Sequence, residues 1–172
     1  MGMRPGCYTR VESPPYTKRQ YMRGVPEPRI KKFTMGNTSR KFQYEVALIA
    51  LKACQIRHNA LEAARVAANR YLQRKLGVNN YLFRILPFPH HVLRENKMIF
   101  GAGADRLQDG MRGAFGKPVG TAAQVRANQK VAIVRVDEEG LAVAKEALRR
   151  SGMKIPTPFR IVIERLDSEE KD

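Results

Sequence analysis

Apolar and polar side chains alternate along residues 42–49. Phe42, Tyr44, Val46 and Leu48 share one face, with Gln43 and Glu45 opposite. A period of two marks a strand. Ala53 to Arg57 reads as a second, short strand. From residue 59 the period changes. Leu61, Ala64, Ala68, Tyr71 and Leu72 fall on one arc at 100° per residue, with Asn69, Arg70, Gln73 and Arg74 on the other. Asn59-Ala60-Leu61-Glu62 has the form of a capping box, which predicts Asn59 as the N-cap. The helix runs to Leu76 and ends at Gly77, a residue that accepts the left-handed conformation of a helix end. Its alanines predict a close approach to a sheet.

Tyr81, Phe83 and Ile85 alternate with Leu82 and Arg84, and that strand stops before Pro87 and Pro89. Val92 to Phe100 reads as extended, with a turn near Glu95-Asn96. Thr121 to Arg126 and Val131 to Val136 are further strands. Asp137 is expected to open a second helix, with Glu138 and Glu139 in its first turn, where carboxylates suit the helix dipole. Arg149 and Arg150 fall in its last turn, and Gly152 ends it. Phe159 to Leu166 is the last strand. Strands interspersed with two helices, several joined by hairpin-length connections, predict an α+β domain: a mainly antiparallel sheet with helices packed on it. The expected division is a basic arm over 1–41, a domain over 42–166 carrying a long loop at 101–120, and an acidic tail over 167–172.

The arm lacks periodicity. It holds Pro5, Pro14, Pro15, Pro26 and Pro28 and shows no hydrophobic face of its own, so it is expected to order on a partner. Its bases, Arg4, Arg10, Lys18, Arg19, Arg23, Arg29, Lys31, Lys32 and Arg40, are interleaved with Tyr8, Tyr16, Tyr21 and Phe33. Cations neutralise phosphates and aromatic faces stack on bases.

Charge strengthens that picture. The chain of 172 residues has 32 Lys and Arg against 16 Asp and Glu, a net charge of +16. Residues 1–130 hold the whole excess, and residues 131–172 sum to −1. A one-sign field attracts polyanions. Nucleic acid is the first candidate partner and an anionic membrane the second. A membrane-surface helix would concentrate its bases in one amphipathic segment, whereas these are spread over arm, helix and loops. No run approaches the ~18 apolar residues of a membrane span, and no apolar stretch near the N-terminus suggests a secretory signal. Cys7 and Cys54 supply neither a disulfide framework nor a four-cysteine zinc site, so a reducing compartment and no metal or other cofactor are expected.

Residues 101–120 include six glycines, together with Arg106, Arg112 and Lys117. Glycine-rich basic backbone comes close to phosphate, and a loop of this length in a compact domain is commonly functional. It is not a known nucleotide loop. Gly101-Ala102-Gly103 lacks the third glycine of a dinucleotide fingerprint, and Gly116-Lys117 is followed by Pro118 rather than Ser or Thr. Catalytic constellations are equally weak. His90 and His91 are adjacent, so in a strand they face opposite ways. Asp105 and Asp109 lie among bases that can pair with them, and Cys54 sits in an apolar strand. An RNA-modifying or RNA-cleaving enzyme using His90, His91 or Asp105, and a free RNA-binding regulator, are the alternatives to a structural role.

Several stretches together resemble one family. They are Arg4-Pro5, Cys7-Tyr8, Pro15-Tyr16, Gly24-Val25-Pro26, and Phe33 with Met35-Gly36. To these are added Ile56 to Arg65, Pro89 to Met98, and above all Ala102 to Gln108 with Gly110 to Pro118. They resemble the large-subunit ribosomal proteins called L-ten-e in archaea and eukaryotes and L-sixteen in bacteria, over nearly the whole chain. The ending near Asp172 resembles the archaeal form.

That resemblance implies a two-layer α/β sandwich with a β-hammerhead motif and no enzymatic activity. It implies binding to large-subunit ribosomal RNA near the base of the central protuberance, beside the aminoacyl-tRNA site. The expected RNA-binding set joins Tyr8, Tyr16, Tyr21 and the arm's bases with Arg70, Arg74, His90, Arg94, Lys97 and Arg126. The resemblance further implies that loop 101–117 extends toward tRNA and the peptidyl transferase centre, with Gly103, Asp105, Arg106, Gln108, Met111, Arg112, Phe115 and Lys117 as its tRNA-facing residues. Neighbouring ribosomal proteins are possible partners and a membrane is not.

Overall fold

The fold is taken from a computed structural model, which describes residues 9, 11, 13–98, 101 and 110–166. Its strands form two antiparallel sheets. The larger contains β1 (Thr34–Gly36), β2 (Tyr44–Ala50), β4 (Leu82–Ile85), β7 (Lys130–Val136) and β8 (Phe159–Arg165), in the order β1-β4-β7-β2-β8. The smaller contains β3 (Cys54–Arg57), β5 (His91–Glu95) and β6 (Lys117–Val125), in the order β3-β6-β5. Two helices, α1 (His58–Leu76) and α2 (Leu141–Gly152), complete the α+β arrangement.

The core lies between the helices and the larger sheet. Val46, Leu48, Phe83, Val134 and Val136 from the strands meet Leu61, Ala68, Leu72, Ala144, Ala147 and Leu148 from the helices, all fully buried. Burying one such large apolar side chain contributes roughly 1.5–3 kcal/mol. Small side chains on the facing surfaces, Ala64 and Ala68 of α1 with Ala144 and Ala147 of α2, permit close packing. The arc read from the helical period is the buried one: Leu61, Ala64, Ala68 and Leu72 are buried and Tyr71 is half-buried.

On its other face the larger sheet carries a charged lattice. Glu45 is buried and accepts from Arg135 Nε at 2.9 Å and Lys130 Nζ at 3.1 Å, while Lys130 also donates to Glu164 at 2.7 Å. Burial pushes the Glu45 carboxyl up, but the bonds from Arg135 and Lys130 outweigh it and hold the group below its ordinary value.

Several details differ from the sequence reading. Helix α1 begins at His58 with Arg57 as N-cap and no side-chain cap, so Asn59 lies inside the helix. Glu62 does not reach back to close a capping box, because it bonds Arg65 through both oxygens, at 2.9 and 2.5 Å. The second helix opens later than Asp137. Glu138–Gly140 is a turn of 3-10 helix, and α2 starts at Leu141. Asp137 instead pairs with Arg40 at 2.6 Å. Lys117 to Gly120, read as the end of the long loop, belong to β6, and β5 ends at Glu95.

Part of the segment read as an arm is built into the domain. Thr34–Gly36 pairs with β4, and Ile30 is fully buried in the core with Phe33 and Met35 packed against it. Period-based reading misses this because one buried side chain and a three-residue strand make no repeat. Gly36 is required where the chain joins the sheet. Its φ is +88°, and a Cβ there would collide with the Tyr81 carbonyl.

Candidate RNA interface

Two histidines of the domain accept hydrogen bonds from backbone amides of the basic segment before β1. Tyr16 N–H donates to His91 Nδ1 at 2.7 Å, and Val92 N–H donates to the Tyr16 carbonyl at 3.0 Å. Arg29 N–H donates to His58 Nδ1 at 3.0 Å. A backbone amide only donates, so both ring nitrogens must be unprotonated acceptors. The surroundings favour that state. Burial lowers the affinity of His58 for a proton, and the positive charges of Arg57 and Arg29 add to it. Burial likewise lowers His91, helped by His90 and Arg94. A sequence reading that weighed His91 only for catalysis missed this role, which has no sequence signal because its partner lies 75 residues away.

Arg94 of β5 joins this segment to the far end of the glycine-rich loop. Its guanidinium lies 4.5 Å from the centre of the Tyr16 ring and 3.9 Å from that of Phe115, and it donates to the Phe115 carbonyl at 2.9 Å. The two rings meet edge to face at 5.8 Å. Asn96 Nδ2 donates to the Gly110 carbonyl at 3.1 Å, a second tie between β5 and the loop. Gly116, at φ +78°, permits the chain to pass against the β5 backbone, since a Cβ would come 2.8 Å from the Glu95 carbonyl carbon. Arm and loop thus leave the smaller sheet from one edge strand.

The expected RNA-binding residues divide into three groups. Lys18, Arg19, Tyr21, Arg23, Arg29, Lys31 and Lys32 are exposed along the arm, with Tyr21 63% exposed. Arg70 and Arg74 are exposed on α1, and Lys97, Arg112, Lys117, Arg126 and Met111 are exposed around the smaller sheet and loop. His90 and Arg126 line one groove of about 550 Å³, with Pro14, Pro15 and Gln124 also on its walls. A second group makes internal contacts. Arg94 and Tyr16 form the stack with half-exposed Phe115, and Arg40 bonds Asn80 and Asp137. Arg4, Tyr8, Arg10, Gly103, Asp105, Arg106 and Gln108 lie outside the described residues.

Among the described residues no group of His, Cys, Asp and Glu could hold a metal ion, and no helix is long and apolar enough to cross a membrane. Cys54 is half-buried, and burial raises its thiol pKa, the opposite of an activated nucleophile.

A surface built this way, with cations and aromatic rings on a scaffold held by neutral contacts, suits a polyanion. Comparison with known proteins supplies the family. Residues 11–162 match the family described as Ribosomal protein L16p/L10e. The chain belongs to the L16p/L10e family. It is 57% identical over 167 residues to the large ribosomal subunit protein uL16 of Staphylothermus marinus, covering 96% of each chain. It is 55% identical over 170 residues to uL16 of Hyperthermus butylicus, covering 96% of this chain and 94% of that one. For uL16 of Thermoplasma volcanium the figure is 50% over 156 residues, or 91% and 89% of the two chains. L16p/L10e proteins are ribosomal proteins rather than enzymes. In the structure His91 Nδ1 accepts from Tyr16 N–H, and His90 Nδ1 lies 2.8 Å from the Phe88 carbonyl. Lys154 carries no signal in the sequence that marks it as part of a site. It is an exposed cation in the near-neutral C-terminal quarter, and segment-by-segment charge counting passes over it.

Proposed function

We propose that this chain is a structural constituent of the large ribosomal subunit in the cytoplasm. It binds ribosomal RNA beside the aminoacyl-tRNA site and helps to order the peptidyl transferase region. The arm and the exposed face of α1 neutralise RNA phosphates, and loop 101–117 reaches toward tRNA. Most contacts position the protein on RNA without reading sequence, as expected where cations outnumber base-reading amides. Neighbouring ribosomal proteins meet the near-neutral C-terminal quarter.

The single observation that carries this reading is the Tyr16–Arg94–Phe115 stack. It ties the basic arm and the glycine-rich loop to one edge strand, so RNA bound by the arm sets the direction in which the loop leaves the domain. A sucrose gradient of lysate containing the tagged chain tests it. Stoichiometric migration with the large subunit, surviving moderate salt, is the expected result. A peak at the top of the gradient with sub-stoichiometric large-subunit signal would overturn it.

A further inference from the structure

One stripe of α1 lies beside its buried face of Leu61, Ala64, Ala68 and Leu72. Asn59, Glu62, Ala63, Val66, Ala67 and Arg70 recur at helical spacing along it and form one wall of a groove of about 460 Å³. Arg29 and Lys154 bring in two other parts of the chain. Asn59 and Arg70 are eleven positions apart, about 16 Å of helix at 1.5 Å per residue.

The groove has an apolar floor and a cationic rim. Val66 is 42% exposed, an open apolar surface between two alanines. Arg29, Arg70 and Lys154 are exposed, and none has an ion-pair partner among the described residues. The one acid on the wall, Glu62, is neutralised by its two bonds to Arg65. At one end α1 begins without a side-chain cap, so the partial positive charge of its first turn adds to that of Arg29.

Both flanking cations are set on fixed backbone. Arg29 is held by its N–H bond to His58. Lys154 follows α2 in a turn closed by the bonds Lys154 N–H to Ser151 and Ile155 N–H to Gly152, both 3.0 Å. The Phe159 ring packs on Gly152 so closely that no Cβ fits there.

We propose that this groove binds an unpaired stretch of RNA. Phosphates sit on Arg29 at one end and on Arg70 and Lys154 at the other, and an open base face covers Val66, Ala63 and Ala67. This rests on the reading of the chain as an RNA-binding protein and specifies which RNA this face takes. A duplex presents phosphates, riboses and base edges but keeps its base faces stacked away from the apolar floor, whereas an unpaired strand offers an open base face to cover it. An acidic peptide would satisfy the rim, but it has no flat faces for a floor of two alanines and one valine.

The test places a photoreactive phenylalanine analogue at Val66 of the full chain, and separately at Lys31, with large-subunit ribosomal RNA as the probe. Crosslinking from position 66 to unpaired nucleotides is expected. Crosslinks from 66 only to paired nucleotides, to protein or to nothing, while position 31 captures RNA, overturn the groove proposal and leave the RNA-binding reading intact. Failure at both positions overturns both. Two substitutions at exposed positions give a second readout, with circular dichroism confirming the fold. Lys154→Ala should reduce the salt slope of binding to a single-stranded oligonucleotide by about 1. Val66→Glu should weaken that binding at least about fivefold by setting a like charge against phosphate, with a smaller change for a blunt hairpin. Equal weakening for both probes, or none for either, refutes selection of unpaired RNA.

Discussion

The Arg94 guanidinium lies 3.9 Å from the centre of the Phe115 ring and bonds the Phe115 carbonyl, and it also lies 4.5 Å from the centre of the Tyr16 ring. A charge expected to face RNA is therefore also the joint between arm and loop. Each cation–π contact of a half-buried guanidinium contributes about 1 kcal/mol. Arg94→Ala should raise hydrogen exchange at residues 13–17 and 110–116 while lowering the unfolding midpoint only slightly. Arg94→Lys should restore little, since an ammonium lacks the planar group that contacts both rings and bonds the Phe115 carbonyl. Unchanged exchange in both segments would refute the coupling.

Docking of the arm should weaken in acid. His58 and His91 have folded-state pKa values below the ordinary 6.5. The released state therefore binds more protons than the docked one as pH falls below about 6.5, and docking is complete above that value. Limited proteolysis within residues 17–28 should accelerate as pH drops from 7.5 to 5, and His91→Phe should show that faster cleavage at both pH values. A wild-type cleavage rate independent of pH would count against the histidine anchors.

Gly36 and Gly77 both have positive φ but different surroundings. A Cβ at Gly36 strikes the Tyr81 carbonyl, whereas at Gly77 nothing lies within 4 Å. Gly77→Ala should cost about 1–3 kcal/mol, the backbone strain alone, since its φ of 76° and ψ of 165° lie where essentially only glycine is found. Gly36→Ala should cost about 2–4 kcal/mol, because β1 must also move off β4. Urea unfolding of both variants measures the difference, and equal costs would show that β1 yields freely.

Glu45→Gln removes one charge from the Glu45, Arg135 and Lys130 cluster. Its carboxylate side chain is 8% exposed but its partners are 41% and 34% exposed, so the cost is about 1–2 kcal/mol rather than that of a fully buried pair. The folded-state pKa is lowered, so this contribution is present above the ordinary carboxylate value of 4.5 and is lost as pH falls through the folded value. The stability gap between wild type and variant should close in acid, as read by denaturant titration at several pH values.

Replacing Arg106, Arg112 and Lys117 together by Ala should leave the unfolding midpoint almost unchanged and incorporation into subunits intact, while tRNA binding by those subunits falls. Loss of the folded core in this variant would refute a loop role separate from the fold. For the wild-type chain, neutralising roughly ten phosphates predicts a log–log salt slope of about −9 on duplex RNA and a shallower one on single strands.

The sequence by itself determined what depends on local repeats and on totals. Periods of 2 and 3.6 located both helices and the strands other than β1, because alternation and the apolar arc are the conditions for burying one face. Gly77 marked the end of α1 because only a positive φ closes the helix there. The excess of Lys and Arg pointed to a polyanion whatever the fold.

What only the tertiary structure decided are relations between residues far apart in the chain. The division of the strands into two sheets, and the pairing of Thr34–Gly36 with β4, depend on which strands meet. Asn59 and Glu62 carry a capping-box pattern, yet the Arg65 side chain lies closer to Glu62 than the helix start does, and Arg57 takes the cap. His91 and His58 gained their roles from amides of the arm, and Lys154 joined Arg29 and Arg70 because α2 ends beside α1. Charge and period are sums over neighbours in sequence, whereas a hydrogen-bond acceptor, a stacked guanidinium or a cationic rim needs a neighbour in space, which packing of the core alone supplies.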